Sequence, residues 1–353
     1  SDSLLDLEIL RIDSLCFSRG RLAAEVGIDT LLAEDSVDII IEVDEGEWTR
    51  IGSIVVTGSS SLSHGEAAGL LRLKEGDPFL PVDLGDALAR LLEHYNASGY
   101  PFAQVWLTGF EYDRVENEVD LALSIFEGET SDISGVYFRG LEGTDSTFAL
   151  RLSRLRIGSR YDELSVSRGR EYLNSSGLFR RVDEPSVEQA GRGDVEVVYT
   201  VEELGRNNLF QGGFGISQKD GEDYVLSGAV DLLLRNIAGR GRNAHLSWIN
   251  NGESYSRLEL AYSEPFLFST PMGFEAQIKQ IVQDSVYVYH SAGLFFSYPI
   301  GPHIAIKGGA SVDRNIPDLG ELVRSLRQRY RLGVAKKSGS RFNLELHIEG
   351  AYK

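Results

Sequence analysis

The chain has 353 residues, 42% of them hydrophobic, and a formal charge of −18 from 53 acidic and 35 basic side chains. That length implies two to four units, and the apolar fraction excludes a disordered tail. The charge argues against nucleic acid, whose affinity rests on neutralising phosphates with Lys and Arg, and the single cysteine, Cys16, excludes an internal disulfide or a multi-cysteine metal site.

The charge is unevenly placed. Residues 1–206 hold 19 Lys+Arg against 39 Asp+Glu, a net of −20, and residues 207–353 are nearly neutral. The acidic half predicts solubility and complexes with basic partner patches that weaken at high salt. No apolar run reaches the ~18 residues of a membrane helix. That leaves a membrane β-barrel open, because alternating strands escape a hydropathy scan.

In chain order, residues 20–26 (GRLAAEV) and 37–47 (VDIIIEVDEGE) come first. GRLAAEV matches GYPFAQV (99–105), and VDIIIEVDEGE matches VDLALSIFEGE (119–129) at an offset of 82. IGSIVVTG (51–58) and ISGVYFRG (133–140) are alternating strands, again 82 residues apart, ending in Gly58 and Gly140. LKEGDPF (73–79) and LRIGSRY (155–161) keep that offset at Gly76 and Gly158. From Pro81, residues Leu84, Leu88, Leu91 and Leu92 take the spacing of an amphipathic helix. It stops at Asn96–Gly99, as its second copy does at Asn174–Gly177. Each copy closes with two strands. The last strands alternate with period two at Val119, Leu121, Leu123 and Ile125, and at Val195, Val197, Tyr199 and Val201. Each copy is therefore a β-α-α-β-β layer domain. The shared offset of VDIIIEVDEGE makes residues 1–46 the expected C-terminal part of a third copy.

From Asn207 the helical period vanishes. Leu258, Leu260 and Tyr262 alternate with polar or small residues, as do Phe274, Ala276 and Ile278, then Ile304 and Ile306. Tyr330, Leu332 and Val334 do the same, then Phe342, Leu344, Leu346 and Ile348. About nine such segments approach the roughly 9–11 residues of a tilted membrane strand. A soluble sandwich alternates too, with the opposite face inward. Aromatic strand ends at Tyr262, Phe266, Phe268 and Tyr298 favour the barrel.

The repeated glycines, the N-x-S-G helix ends and the E-G-E strand exits in this order resemble the POTRA domain. NIAGRGR (236–242), with YSEPF (262–266) after it, is similar to early barrel strands of the outer-membrane β-barrel assembly family, to which BamA and TamA belong. There a turn of the type Asn-x-x-Gly-x-Gly-Arg precedes a strand, and Tyr-x-Glu-Pro-aromatic ends the next. The matching residues are Asn236, Gly239, Gly241 and Arg242, then Tyr262, Glu264, Pro265 and Phe266. The resemblance implies an α+β fold of POTRA repeats followed by an antiparallel transmembrane β-barrel, with about 8–9 of its strands present. Expected domains are 1–46 (end of a POTRA domain), 47–128 and 129–206 (POTRA domains) and 207–353 (the N-terminal part of the barrel). The family's late Val-Arg-Gly-aromatic motif and aromatic C-terminal residue are absent, so the sequence is expected to lack the barrel's C-terminal half. A short barrel, or one completed by a second chain, is the alternative.

The implied function is assembly and insertion of β-barrel proteins at a bacterial outer membrane, with the POTRA domains in the periplasm. The implied partners are unfolded outer-membrane proteins, outer-membrane lipid and periplasmic or lipoprotein accessory subunits. A two-partner-type secretion transporter is the alternative, and an adhesive protein with a soluble β-sandwich a third reading. An exposed edge strand templates an extended chain by β-augmentation. The strands Pro101–Leu107 and Leu178–Val182 are the expected edges, with Ala103, Gln104, Val105, Trp106, Leu107, Leu178, Phe179 and Arg180 as contacts. The bland alternative is packing of sheet on helix. The first barrel strand, Asn207–Ile216, is weakened by Gly212, Gly213 and Gly215, which with Leu209 are the expected lateral gate. Equally, those glycines relieve crowding where the strand bends.

No enzyme is expected, nor any catalytic residue, metal or cofactor. The six histidines lack ligand spacing such as H-E-x-x-H, and no P-loop or G-x-S-x-G elbow occurs. Arg192-Gly-Asp194 reads as a turn. Glu-Gly-Glu at 45–47 and 127–129 reads as a structural strand exit.

Overall fold

The computed structural model describes residues 2–32, 37–191, 193–205, 208–219, 223–252, 254–284, 286–317, 325–336 and 348–352. The expectations on Arg192, Asn207 and Phe342–His347 lie outside the described residues. Two compact units divide the chain: Ser1–Ile133 with Gly158–Leu164 and Gln189–Val195, and Ser134–Ile157 with Ser165–Glu188 and Glu196–Lys353.

The first unit opens with helix α1 (Asp2–Ser18) and the antiparallel pair β1 (Glu25–Leu32) and β2 (Val37–Asp44). The first repeat comprises β3 (Arg50–Thr57), α2 (His64–Leu71), α3 (Pro81–Ala97), β4 (Gln104–Asp113) and β5 (Glu118–Phe126). Its sheet order is β3-β5-β4, with β3 parallel and β4 antiparallel to β5. A reciprocal cap starts α2: Ser63 Oγ accepts from Glu66 N, and the Glu66 carboxylate from Ser63 N. Pro81 takes the first turn of α3, where its missing N–H costs nothing. Leu84, Ala87, Leu91 and Tyr95 of α3 are buried against Val119, Leu121, Leu123 and Ile125 of β5, with Leu88 and Leu92 at the margin. Arg90 donates to the carbonyls of Leu70 and Leu71, closing the end of α2.

The second repeat has β6 (Asp132–Arg139), α4 (Ser146–Ser153), α5 (Glu163–Ser175), β7 (Phe179–Val182), β8 (Ser186–Ala190) and β9 (Asp194–Glu203). Its sheet runs β6-β9-β7, with β8 also on β9. The expected pair of closing strands is thus three, because the first is broken at 183–185, where Pro185 has no N–H for a ladder. The repeat is otherwise faithful in its backbone. Gly58 and Gly140 have φ of +85° and +88°, and a Cβ on either meets the carbonyl oxygen of Ile125 or Val201 at 2.1 Å. Only glycine fits there.

Beyond the repeats lie β10 (Leu209–Lys219), β11 (Asp223–Ile237), β12 (Arg242–Asn250), β13 (Tyr255–Glu264), β14 (Gly273–Gln283), β15 (Tyr287–Pro299), β16 (Ile304–Pro317), β17 (Ser325–Lys336) and β18 (Ile348–Tyr352). They form one antiparallel sheet in chain order, with β10 and β18 at its two ends. Among the described residues β10 begins at Leu209 and runs on past the expected Ile216 to Lys219.

Register assigns the faces. Leu232, Leu246, Leu260, Ile278, Ala292 and Val312 form one cross-strand row; Asp231, Ser247, Glu259, Lys279, Ser291 and Asp313 form the adjacent row on the opposite face. The apolar face is the exposed one: Ile278 is 54% and Leu294 52% accessible, against 6% for Asp313 and 9% for Ser311. A soluble sandwich requires the reverse, whereas a membrane barrel turns its apolar face to lipid and its polar face to the lumen. This is a partial transmembrane barrel. No helix among the described residues is long and apolar enough to cross a membrane.

Candidate functional site

β4 lies at the edge of its sheet, bonded only to β5 among the described residues. It is longer than expected, ten residues reaching Asp113, and exposes Trp106, Leu107 and Phe110. Gln104 and Val105 open it, and a register shift between Leu107 and Gly109 makes a bulge at Thr108. Ala103 is a correction: it precedes the strand and is buried in the first repeat's core. β3 is the other edge of this sheet, an edge not expected from the sequence. No sequence signal reveals that β5, the last strand, inserts between the other two.

β7 is also an edge, but of four residues. Phe179 turns into the core and Arg180 pairs with Glu202 at 3.1 Å. Leu178 lies one residue before the strand; its carbonyl accepts from Leu204 N at 2.8 Å, and its side chain lines a cavity of about 480 Å³ with Phe148, Leu152, Leu233 and Pro265.

β10 pairs with β11 throughout: Leu209 faces Leu233, Gly212 faces Val230, Gly213 faces Ala229 and Gly215 faces Ser227. None of these glycines has a left-handed backbone. A Cβ on Gly213 meets no atom within 4 Å, one on Gly212 meets Ala229 O at 3.4 Å, and one on Gly215 meets Ser227 Oγ at 3.0 Å. Crowding lies on the neighbouring strand instead, where a Cβ on Gly228 falls 2.5 Å from Gly213 O.

The phrases NIAGRGR and YSEPF meet the second repeat. Asn236 accepts from Gly241 N through Oδ1 at 2.7 Å, folding the turn onto itself, and donates through Nδ2 to Thr144 Oγ1 at 3.0 Å. Gly239 (φ +70°) packs so closely that a Cβ falls 2.5 Å from Gly143 O and 2.7 Å from Asp145 N. Its carbonyl accepts from Asp145 N at 2.9 Å. The Glu203 carboxylate accepts from Gly143 N and Thr144 N at 3.0 and 2.8 Å, holding that loop in place. Phe148 and Phe266 stack edge to face at 5.5 Å. Behind them, Arg242 Nε lies 2.6 Å from Glu264 Oε2, which also accepts from Tyr262 OH at 3.2 Å.

A family model of the POTRA domain, described as surface antigen variable number repeat, matches residues 49–128 and 131–204. The chain is 24% identical over 322 residues to the outer membrane protein assembly factor BamA of Nitratidesulfovibrio vulgaris, covering 89% of this chain and 40% of that protein. Its two repeats are POTRA domains, and the chain is similar to BamA-like outer-membrane assembly factors. A relative from Treponema pallidum is 22% identical over 322 residues, covering 90% of this chain and 37% of the relative. The chain thus spans well under half the length of these family members. In fold it is similar to BamA of Haemophilus ducreyi lacking POTRA domains 1–3, with a TM-score of 0.60, 16% identity, and coverage of 86% of this chain and 64% of that one. Like the BamA proteins it resembles, it resides in the outer membrane, with its POTRA repeats in the periplasm. In the sequence the two barrel phrases stand only as family signatures. In this BamA-like fold they are the joint between the second POTRA repeat and the strands. Among the described residues, no group of three or more His, Cys, Asp or Glu converges as metal ligands do.

Proposed function

We propose that this chain assembles β-barrel proteins into the outer membrane, that β4 receives an extended substrate or partner strand, and that β10 opens laterally. The kinship with assembly factors supports the assembly reading. Between the two candidate edges, physics favours β4. It offers ten residues with exposed Trp106 and Leu107, whereas β7 offers four flanked by the Arg180–Glu202 and Arg181–Asp183 ion pairs. Charged, very short edges discourage strand addition, and long apolar ones invite it.

The observation that carries the β10 reading is the open space at Gly213. A glycine that packing does not require still weakens the strand through chain entropy and the lack of a cross-strand side chain. A strand so weakened separates more readily to admit a substrate strand. Unfolded outer-membrane proteins are the proposed substrates, and periplasmic or lipoprotein subunits the proposed partners of the acidic repeats.

Gly213→Val tests this, since a Cβ there meets no atom within 4 Å and valine favours an extended strand by ~1 kcal/mol. Insertion of a barrel substrate into proteoliposomes is expected to slow about fivefold. Unchanged kinetics would remove β10 as the gate.

A further inference from the structure

Below the joint lies a polar cavity of about 200 Å³, walled by Asp145 and Arg151 of the second repeat and by Arg240, Arg242, Glu264 and Phe266 of the strand ends. Its charges are unevenly committed. Arg242 faces Glu264 Oε2 at 2.6 Å. Asp145 caps α4, its Oδ1 accepting from Phe148 N at 2.9 Å. Arg151 and Arg240 are exposed and have no side-chain hydrogen bond or ion pair among the described residues. Two uncommitted arginines at one cavity stand out in a chain of net charge −18.

Register fixes where this cavity faces. Arg242 follows the parity of Ala244 and Leu246, and Glu264 that of Tyr262 and Leu260. Both therefore sit on the apolar, outward face, at the strand ends nearest the second repeat. The turn after Phe266 holds Phe268 in left-handed backbone (φ +50°) with 87% of its surface exposed. Aromatic rings presented this way sit at headgroup level in a bilayer. Guanidinium forks match pairs of phosphate oxygens, and charge-assisted bonds of this kind are the strong ones.

We propose that this cavity binds the phosphodiester of a phospholipid headgroup in the periplasm-facing leaflet, gripped by Arg151 and Arg240, with Phe268 seated in the boundary beside it. A bound lipid then ties α4 of the second repeat to the membrane next to the strand ends. The inference rests on the membrane reading of the strands and goes beyond it by naming a lipid site.

The test is lipid retention by the full chain in detergent micelles with phosphatidylglycerol, read by native mass spectrometry. Wild type is expected to keep one lipid through partial delipidation. The double variant Arg151→Gln/Arg240→Gln is expected to bind at least about tenfold more weakly, while Arg114→Gln, in the β4–β5 turn, binds as wild type. Circular dichroism confirms that each variant is folded. Equal retention by the double variant overturns the site, and so does displacement of the lipid by inorganic phosphate at equal concentration, which would mean an adventitious ion only. A chain that stays folded and monodisperse without detergent fails the membrane reading itself, a separate outcome.

Discussion

Replacing Glu127 with alanine is expected to destabilise the first POTRA repeat by about 2 kcal/mol, because the part-buried amide bonds of Ser60 and Ser61 lose their charged acceptor at once. Glu127 is 8% exposed. Its Oε1 accepts from Ser60 N and Ser61 N, each at 2.9 Å, from Ser61 Oγ at 2.7 Å and from Tyr95 OH at 3.0 Å; the Ser60 hydroxyl donates to its other oxygen. Desolvation alone raises this carboxyl's pKa. The bonds from Ser60 and Ser61 outweigh it and hold the group well below the usual carboxylate range. The unfolded chain takes up the proton near 4.5 and the folded one only in stronger acid, so the contribution is whole above about pH 4.5 and falls away as pH drops below it. Glu127→Gln should lack that acid-side slope and be less stable at neutral pH. Amide exchange at Ser60 and Ser61 is the direct reading: fast exchange in the alanine variant is expected, and wild-type protection there would show that the carboxylate is not the anchor.

Gly239→Val is expected to open the joint between the second repeat and the strands, at a cost of ~3 kcal/mol or more. A β-branched residue in left-handed backbone costs ~1–3 kcal/mol before any overlap. Here the new Cβ also falls 2.5 Å from Gly143 O and 2.7 Å from Asp145 N, backbone atoms that have no rotamer to escape into. The bond from Asp145 N to Gly239 O and that from Asn236 to Thr144 are lost with it. Expected readings are rapid amide exchange at Asp145 and new proteolysis between Glu203 and Asn208. Substrate insertion slows as well if the repeat must deliver strands to β10. Protection unchanged at Asp145 would mean that the joint yields elsewhere.

These two positions share an origin. Glu127 and Glu203 leave the last strand of successive repeats, and each clamps the turn that opens its own repeat's first helix. In the first repeat the clamped turn closes on itself. In the second, the same turn presents Gly143, Thr144 and Asp145 to Gly239 and Asn236. A device for local folding has become the contact surface for the strands. The E-G-E exit at 127–129 reads as a structural turn from sequence, and the fold supplies the reason: its first carboxylate accepts the amides of the turn ahead of α2.

Local rules carry the reading of the elements. Pro81, the leucine stripe of α3 and the alternation of β5 each depend on residues within a few positions, and each appears where the spacing puts it. The offset of 82 is legible because Gly58 and Gly140 occupy one backbone shape that no other residue adopts. Pairing is not legible. That β5 separates β3 from β4, that Pro185 splits a strand in two, and that Ala103 and Phe179 turn inward while Trp106 stays at the edge are decided by contacts between distant segments. Alternation along residues 209–336 determines two faces but not which one meets water, since a period of two is the same for a sandwich and a barrel. Only the tertiary structure decides that, by enclosing Asp313 and Ser311 while leaving Ile278 and Leu294 outside, because the sense in which a sheet curves is set by its neighbours along the whole sheet and not by any one strand.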